Sequence, residues 1–222
     1  MVKLRRIKFE EFQRRISKNL VPATVKDKKL LEKKQDQIVE GACKILFKKG
    51  FNRSSIREIA KECGMSMGQL YSYISSKDDI LFLVHKHMHK TWCDNLAEAG
   101  FSHIHDPVQR LIQAIELTLK YIVENKKLIQ FIYSESKHLG KEHLRLVLEM
   151  DDKNIVELWR ELLRDVKKDA YTDNEYDLAA NIISYLMVFL SLREWNVREQ
   201  NLGNKFDFIT SFILKGLEVN SQ

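Results

Sequence analysis

Gly50-Phe-Asn-Arg-Ser-Ser-Ile-Arg-Glu-Ile-Ala-Lys-Glu-Cys-Gly-Met-Ser-Met-Gly-Gln-Leu-Tyr-Ser-Tyr-Ile-Ser-Ser-Lys77 is the stretch that decides the fold. It reads as two short helices joined by a tight turn. Ser55 stands three residues before Glu58, and Ser66 three before Gln69. Each pair is a capping box: the serine hydroxyl satisfies a first-turn N–H and the longer side chain reaches back. Gly64 supplies the left-handed residue that the turn needs. Ile56, Ile59 and Ala60 line the inner face of the first helix, Met65 plugs the turn, and Leu70 and Ile74 point inward from the second. Ser66, Met67, Gly68, Gln69, Ser72 and Tyr73 are left outward. They are small or hydrogen-bonding groups with no large charge, a face that can enter a DNA major groove.

Helical signals continue on both sides. Ile38, Ala42, Ile45 and Leu46 form one stripe of a helix predicted from near Lys28 to Lys49, with Gly50 as its stop. Before it, Phe9, Phe12, Ile16 and Leu20 recur at helical spacing until Pro22 breaks the pattern. Downstream, Ser75 and Asp78 open a helix running to Glu98, and Gly100–His105 reads as a loop. Asp106-Pro107 is an N-cap followed by a proline at the first position of a helix reaching Glu124. Further helices are predicted at 127–139, 141–167, 173–199 and 204–219, with a Thr172–Glu175 capping box before the third. Eight glycines, two prolines and no strand-like alternation make the chain all-α, with about nine helices. The expected organisation is a basic extension (1–31), a three-helix helix-turn-helix DNA-binding domain (32–91) and a helical ligand-binding and dimerisation body (92–222).

Charge is unevenly placed. Residues 1–34 carry net +8, residues 35–77 net +3 and residues 78–222 net −5. A polyanion such as DNA is the natural partner of the first third, although a solvated basic tail has the same composition. Cys43, Cys63 and Cys93 form neither a CxxC pair nor an even secreted framework, and read as reduced cytoplasmic thiols. No apolar signal core follows the charged start. The longest mostly apolar stretch, Ile182–Leu192, is short of the roughly 20 residues of a membrane span. A soluble protein without a membrane partner is expected.

The run from Gly50-Phe through Ser-Ser-Ile-Arg-Glu-Ile-Ala, Gly-Met-Ser-Met-Gly-Gln-Leu-Tyr-Ser-Tyr-Ile and Ser-Lys-Asp-Asp-Ile-Leu resembles the N-terminal domain of the TetR family of one-component repressors over about residues 32–91. The resemblance implies a sequence-specific transcriptional regulator, a homodimer on a palindromic double-stranded operator, released by a small-molecule inducer or held by a corepressor. By the same resemblance Ser55 and Ser66 begin the two helices, Arg57 lies where it can reach a base edge or a phosphate, and Gly68 and Gln69 lie at base edges. Tyr71, Tyr73 and Lys77 lie at backbone phosphates. Met67 stands where many members carry Lys or a polar residue, which points to an apolar contact such as a thymine methyl. Plainer readings exist for several. Arg57 can pair with Glu58 or Glu62, Tyr71 can be core, Gln69 can be only a cap partner and Lys77 a surface lysine.

The body is less diagnostic. The family resemblance places the dimer interface on the last two helices, where Ile182, Ile183, Leu186 and Leu190, then Phe208, Phe212 and Ile213, make apolar surfaces wider than one face. It places an inducer pocket among the middle helices, with Leu128, Phe131, Ile132, Trp159, Met187 and Phe189 as candidates. The segment Tyr133-Ser-Glu-Ser resembles members that respond to acyl-CoA or other lipophilic molecules. His85, His89 and Cys93 share a helix face, but no compact metal motif accompanies them, so no metal and no cofactor is expected. No phosphate-binding glycine loop, GxSxG or HExxH motif argues for an enzyme. A ligand-independent nucleoid protein of the same fold is the alternative.

Overall fold

A computed structural model describes residues 21–197 and 202–219. Among the described residues the chain forms nine helices and no strand. They are α1 (Lys28–Arg53), α2 (Ile56–Glu62), α3 (Met67–Tyr71), α4 (Lys77–Glu98), α5 (Pro107–Glu124) and α6 (Lys126–Glu135). Next comes α7, which runs from Lys141–Met150 through a π-helical segment, Asp151–Val156, into Glu157–Val166. The last two are α8 (Asp173–Leu192) and α9 (Leu202–Gly216). The short helix expected near Phe9–Leu20 lies outside the described residues.

The local start signals act as read. Ser55 and Glu58, Ser66 and Gln69, and Thr172 and Glu175 close complete capping boxes. Asp106 accepts the Gln109 N–H at 2.7 Å ahead of Pro107. Helix α4 differs by one residue. Its cap is Ser76, whose Oγ accepts from Asp79 N at 3.2 Å, rather than Ser75. Asp79 answers by accepting the N–H groups of Ser75 and Ser76 at 2.6 and 3.1 Å. A carboxylate at a helix start gains both hydrogen bonds and the helix dipole. Gly50 has φ 75°, and a last helical turn, residues 51–53, follows it.

The described residues divide into two compact units, one of residues 21–91 with 127–150, the other of 92–126, 151–197 and 202–219. Residues 127–150, expected in the body, therefore cluster with the head. In the head unit the core is Ile38, Val39, Ala42 and Leu46 of α1, Ile59 and Ala60 of α2, and Leu70 and Ile74 around α3, all buried. Gly41 lets the α2–α3 turn approach: a Cβ there would stand 2.5 Å from Cys63 Sγ.

In the second unit α5, the last part of α7 and α8 pack on one another, and α9 lies on α5. Leu111, Ile115, Leu119, Leu162, Ala180 and Met187 are buried between them. Arg110 closes one end, donating to the Ile104 carbonyl at 2.8 Å and to Asp165 at 3.2 Å. By length and composition α8 could cross a membrane, a point the shorter stretch Ile182–Leu192 did not reveal. Its apolarity has two directions. Tyr176, Ala180, Ile183 and Met187 are buried, while Leu178, Ile182 and Tyr185 are exposed at helical spacing. All three cysteines are free; Cys63 and Cys93 are buried and Cys43 is half-buried.

Candidate nucleic-acid interface

Helix α3 has five residues; its start is closed by its own capping box and its end is tied to the segment before α1. At its start Ser66 Oγ accepts from Gln69 N at 3.2 Å, and Gln69 Oε1 accepts from Ser66 N at 2.9 Å. At its end the Ser72 carbonyl accepts both the N–H and the hydroxyl of Thr24, at 3.1 and 3.3 Å. Val21 is buried and Pro22 O accepts from Ser75 Oγ at 3.5 Å. The chain leading from the basic extension is thus fastened beside the outward face of α3. The extension itself, residues 1–20, lies outside the described residues.

That outward face carries Gly68, Gln69 and Tyr71, all exposed, with Met67 and Tyr73 half-buried beside them. A Cβ built at Gly68 would meet nothing within 4 Å. The fold does not need glycine there, and glycine costs a helix about 0.5–1 kcal/mol relative to alanine. The missing side chain makes sense against a surface that comes in from outside. Gln69 has its oxygen engaged in the cap, so its NH2 group is the end left to donate. Leu70, between them in sequence, is fully buried, so the face is held from behind.

Ser55 and Arg57 of α2 are exposed. The carboxylates that could have captured Arg57 are engaged elsewhere: Glu58 with Lys49, and Glu62 with Lys44 at 3.2 Å. Hydrogen bonds from Lys49 and Ser55 hold the Glu58 carboxyl down to about 2.

Lys77, expected at a backbone phosphate, has partners within the chain. Its ammonium donates to the carbonyls of Phe51 and Ser54 and stands 4.3 Å over the Phe51 ring. Burial pushes its pKa down. Lys77 fastens the α1–α2 corner to the start of α4, a role hidden in sequence because its partners lie more than 20 residues away.

A second group of contacts escaped sequence reasoning. The end of α6 and the start of α7 grip the head at the same corner. Glu135 accepts the Phe51 N–H at 3.2 Å, and the His138 ring stacks on Phe51 with centroids 5.6 Å apart. Gly140 N donates to Asp78 Oδ1 at 2.9 Å, so close that a Cβ on Gly140 would stand 2.9 Å from Asp78 Oδ2. His143 lies 2.6 Å from the same carboxylate and stacks on Phe82.

The other expected sites are placed as follows. Leu128, Phe131 and Ile132 are buried in the head unit. Trp159 and Met187 are buried and Phe189 half-buried in the other unit. On α8 and α9, Ile182, Phe208 and Phe212 are exposed and Leu186 is half-buried, whereas Ile183, Leu190 and Ile213 are buried within this chain. His85 and His89 are buried, which pushes them down to about 4 and about 3; His85 Nε2 lies 3.3 Å from Ser136 Oγ. Among the described residues no group of three or more His, Cys, Asp or Glu is placed to hold a metal ion.

Residues 38–84 match the family model described as bacterial regulatory proteins, tetR family. The HTH-type transcriptional regulator HbdR of Aromatoleum sp. (strain CIB) is 26% identical over 179 residues, 79% of this chain and 76% of that protein. Among solved structures, the regulator FadR of Bacillus subtilis in complex with stearoyl-CoA superposes with a TM-score of 0.68 at 18% identity, over 82% of this chain and 98% of that one. AibR in complex with isovaleryl coenzyme A and operator DNA does so with a TM-score of 0.65 at 17% identity, over 81% and 97%.

Proposed function

We propose that the chain is a DNA-binding transcriptional regulator of the tetR family, whose model matches residues 38–84, and that it acts as a homodimeric cytoplasmic repressor, without catalytic function, released from a palindromic operator by an acyl-CoA thioester. The observation that carries the DNA reading is the outward face of α3, where Gly68 is left bare with no internal reason and Gln69 offers a donor. Two such heads on a two-fold axis read an inverted repeat, which one small head cannot single out in a genome.

The dimer surface is the exposed apolar stripe of Leu178, Ile182 and Tyr185 on α8 with Phe208 and Phe212 on α9. A membrane span is apolar all round, whereas this stripe occupies one side of helices whose other side is already packed. The ligand class is supported by the two solved relatives that hold CoA thioesters. Release is a population shift, so the ligand must favour a state in which the heads no longer fit the operator. The grip of Glu135, His138, Gly140 and His143 on the Phe51 corner and Asp78 is the route by which α6 and α7 bias the head.

The test has three parts: sedimentation of the free protein, selection of its preferred duplex from a random library, and titration of that complex with stearoyl-CoA and isovaleryl-CoA. A dimer, an inverted repeat and dissociation by a thioester are expected. Phe212→Glu, at an exposed position, should give folded monomers that have lost the operator. A wild-type monomer that still binds one duplex tightly, or a complex indifferent to both thioesters, would sink the proposal.

A further inference from the structure

Asn154 lies on the π-helical segment of α7, is 1% exposed, and has no hydrogen-bond partner at either Oδ1 or Nδ2. Five residues on, the wholly buried Trp159 has an unpartnered indole N–H. The same unit satisfies comparable groups elsewhere. The Trp92 indole donates to Thr118 Oγ1 at 3.2 Å, and the buried Ser191 hydroxyl to the Ile122 carbonyl at 3.0 Å. Asn95 and Thr210 each leave a single oxygen unpartnered; Asn154 leaves a whole carboxamide. Buried amides are almost always hydrogen-bonded, because an unmet donor or acceptor carries the full cost of its lost hydration. The backbone around Asn154 is unusual as well. A π turn in a helix is rare and occurs mostly where a function requires it.

We propose that Asn154 and Trp159 are the polar grip of the effector site, and that they take an uncharged secondary amide carried in an otherwise apolar chain. This rests on the acyl-thioester reading, since the pantetheine arm of a CoA thioester carries such amides. The donor and acceptor count selects the class. Asn154 Nδ2 and the Trp159 N–H need lone pairs; Asn154 Oδ1 needs a donor. A secondary amide supplies a carbonyl with two lone pairs and one N–H. An ammonium has no lone pair to offer. A carboxylate has no proton to offer, and it would also meet Asp151, one turn away, whose carboxyl burial and the neighbouring Asp152 push up to about 6. The charged end of the ligand therefore lies away from this turn, and its neutral arm lies against it.

The test compares full-length wild type with Asn154→Leu and Trp159→Phe. Three probes are used: octanoyl-CoA, the octanoyl thioester of N-acetylcysteamine (an amide without the nucleotide) and octanoate. Asn154→Leu should keep or raise the ligand-free Tm, keep affinity for the selected duplex, and lose at least tenfold in affinity for both thioesters. Trp159→Phe should lose severalfold, and octanoate should bind all three proteins alike. A Tm lowered by several degrees in Asn154→Leu would show the amide satisfied inside the protein, as by a buried water, and would overturn the proposal. Thioesters bound equally by wild type and both variants would overturn it while leaving the acyl-thioester reading intact. Selective loss of octanoate would put a carboxyl at Asn154 and overturn the ligand class. A wild type that takes up neither thioester removes the acyl-thioester reading, and this proposal with it.

Discussion

His143 Nδ1 and Asp78 Oδ2 stand 2.6 Å apart, which joins the start of α7 to the first turn of the helix that leaves the reading head. The carboxylate also takes the Gly140 N–H, so one side chain holds two points of the incoming segment. Hydrogen bonds to charged groups contribute about 1.5–3 kcal/mol. His143→Ala should therefore lower Tm by several degrees, at about 2–4 °C per kcal/mol for a chain this size. It should also reduce the coupling between ligand and operator, measured as the ratio of operator affinities with and without thioester. A Tm and a ratio both equal to wild type would show the contact to be incidental.

Gly68→Ala separates stability from recognition. The added methyl meets nothing in the chain. Helix propensity predicts a gain of about 0.5–1 kcal/mol in denaturant unfolding. Operator affinity should nevertheless fall at least tenfold, because the methyl stands where the duplex must approach. Unchanged affinity would mean that α3 does not enter a groove in this orientation.

Gln69→Glu keeps the cap acceptor and removes the NH2 donor. Stability should hold within about 0.5 kcal/mol, as for a surface change, while the preferred base at one position of each half-site changes. Arg57→Ala should cost about 1–3 kcal/mol against the selected duplex and relax a neighbouring position. Selection from a random library reads both. Identical consensus sequences for wild type and both variants would remove these side chains from base readout.

Lys77→Met keeps the stem over Phe51 and deletes the ammonium. Because that ammonium is committed to the Phe51 and Ser54 carbonyls, the expected result is a lower Tm with the salt dependence of DNA binding unchanged. A salt slope smaller by about 1 per subunit would show instead that the ammonium also neutralises a phosphate.

Stability should fall on mild acidification. His85 and His89 are depressed in the folded protein to about 4 and about 3 from an ordinary 6.5, mainly by burial. The unfolded chain therefore binds protons first. Their neutral-state contribution is complete above pH 6.5 and is lost as pH drops from there towards 4 and below. Melting curves from pH 7.5 to 4.5 should show the decline, and His89→Gln should flatten it. A flat wild-type curve through that interval would contradict the burial of the two rings.

The features legible in sequence were those made by neighbours in the chain. The boxes at Ser55, Ser66 and Thr172 need only a hydroxyl and a partner three residues on. Ser75 and Ser76 can each cap α4 by residue type, and the choice depends on where Asp79 folds back. The face of α3 was readable, but the meaning of Gly68 was not, since it depends on what surrounds an absent side chain. Contacts spanning tens of residues left no local trace: Lys77 on Phe51, Glu135 on Phe51, His143 on Asp78. On α8 and α9 the apolar pattern has two faces, and sequence cannot say which one the chain covers itself. Ile183, Leu190 and Ile213 turned inward, while Ile182, Phe208 and Phe212 stayed outside. The π turn has no recognised signature in residue type at all.

The burial of the thiols decides what this regulator ignores. Peroxides and electrophiles attack thiolates, and burial raises Cys43 and Cys93 to about 12 and Cys63 above its ordinary value. At pH 7 a thiol with such a pKa is ionised to about one part in 100,000. Peroxides and electrophiles that act through thiolates therefore find Cys43 and Cys93 almost wholly in their unreactive form.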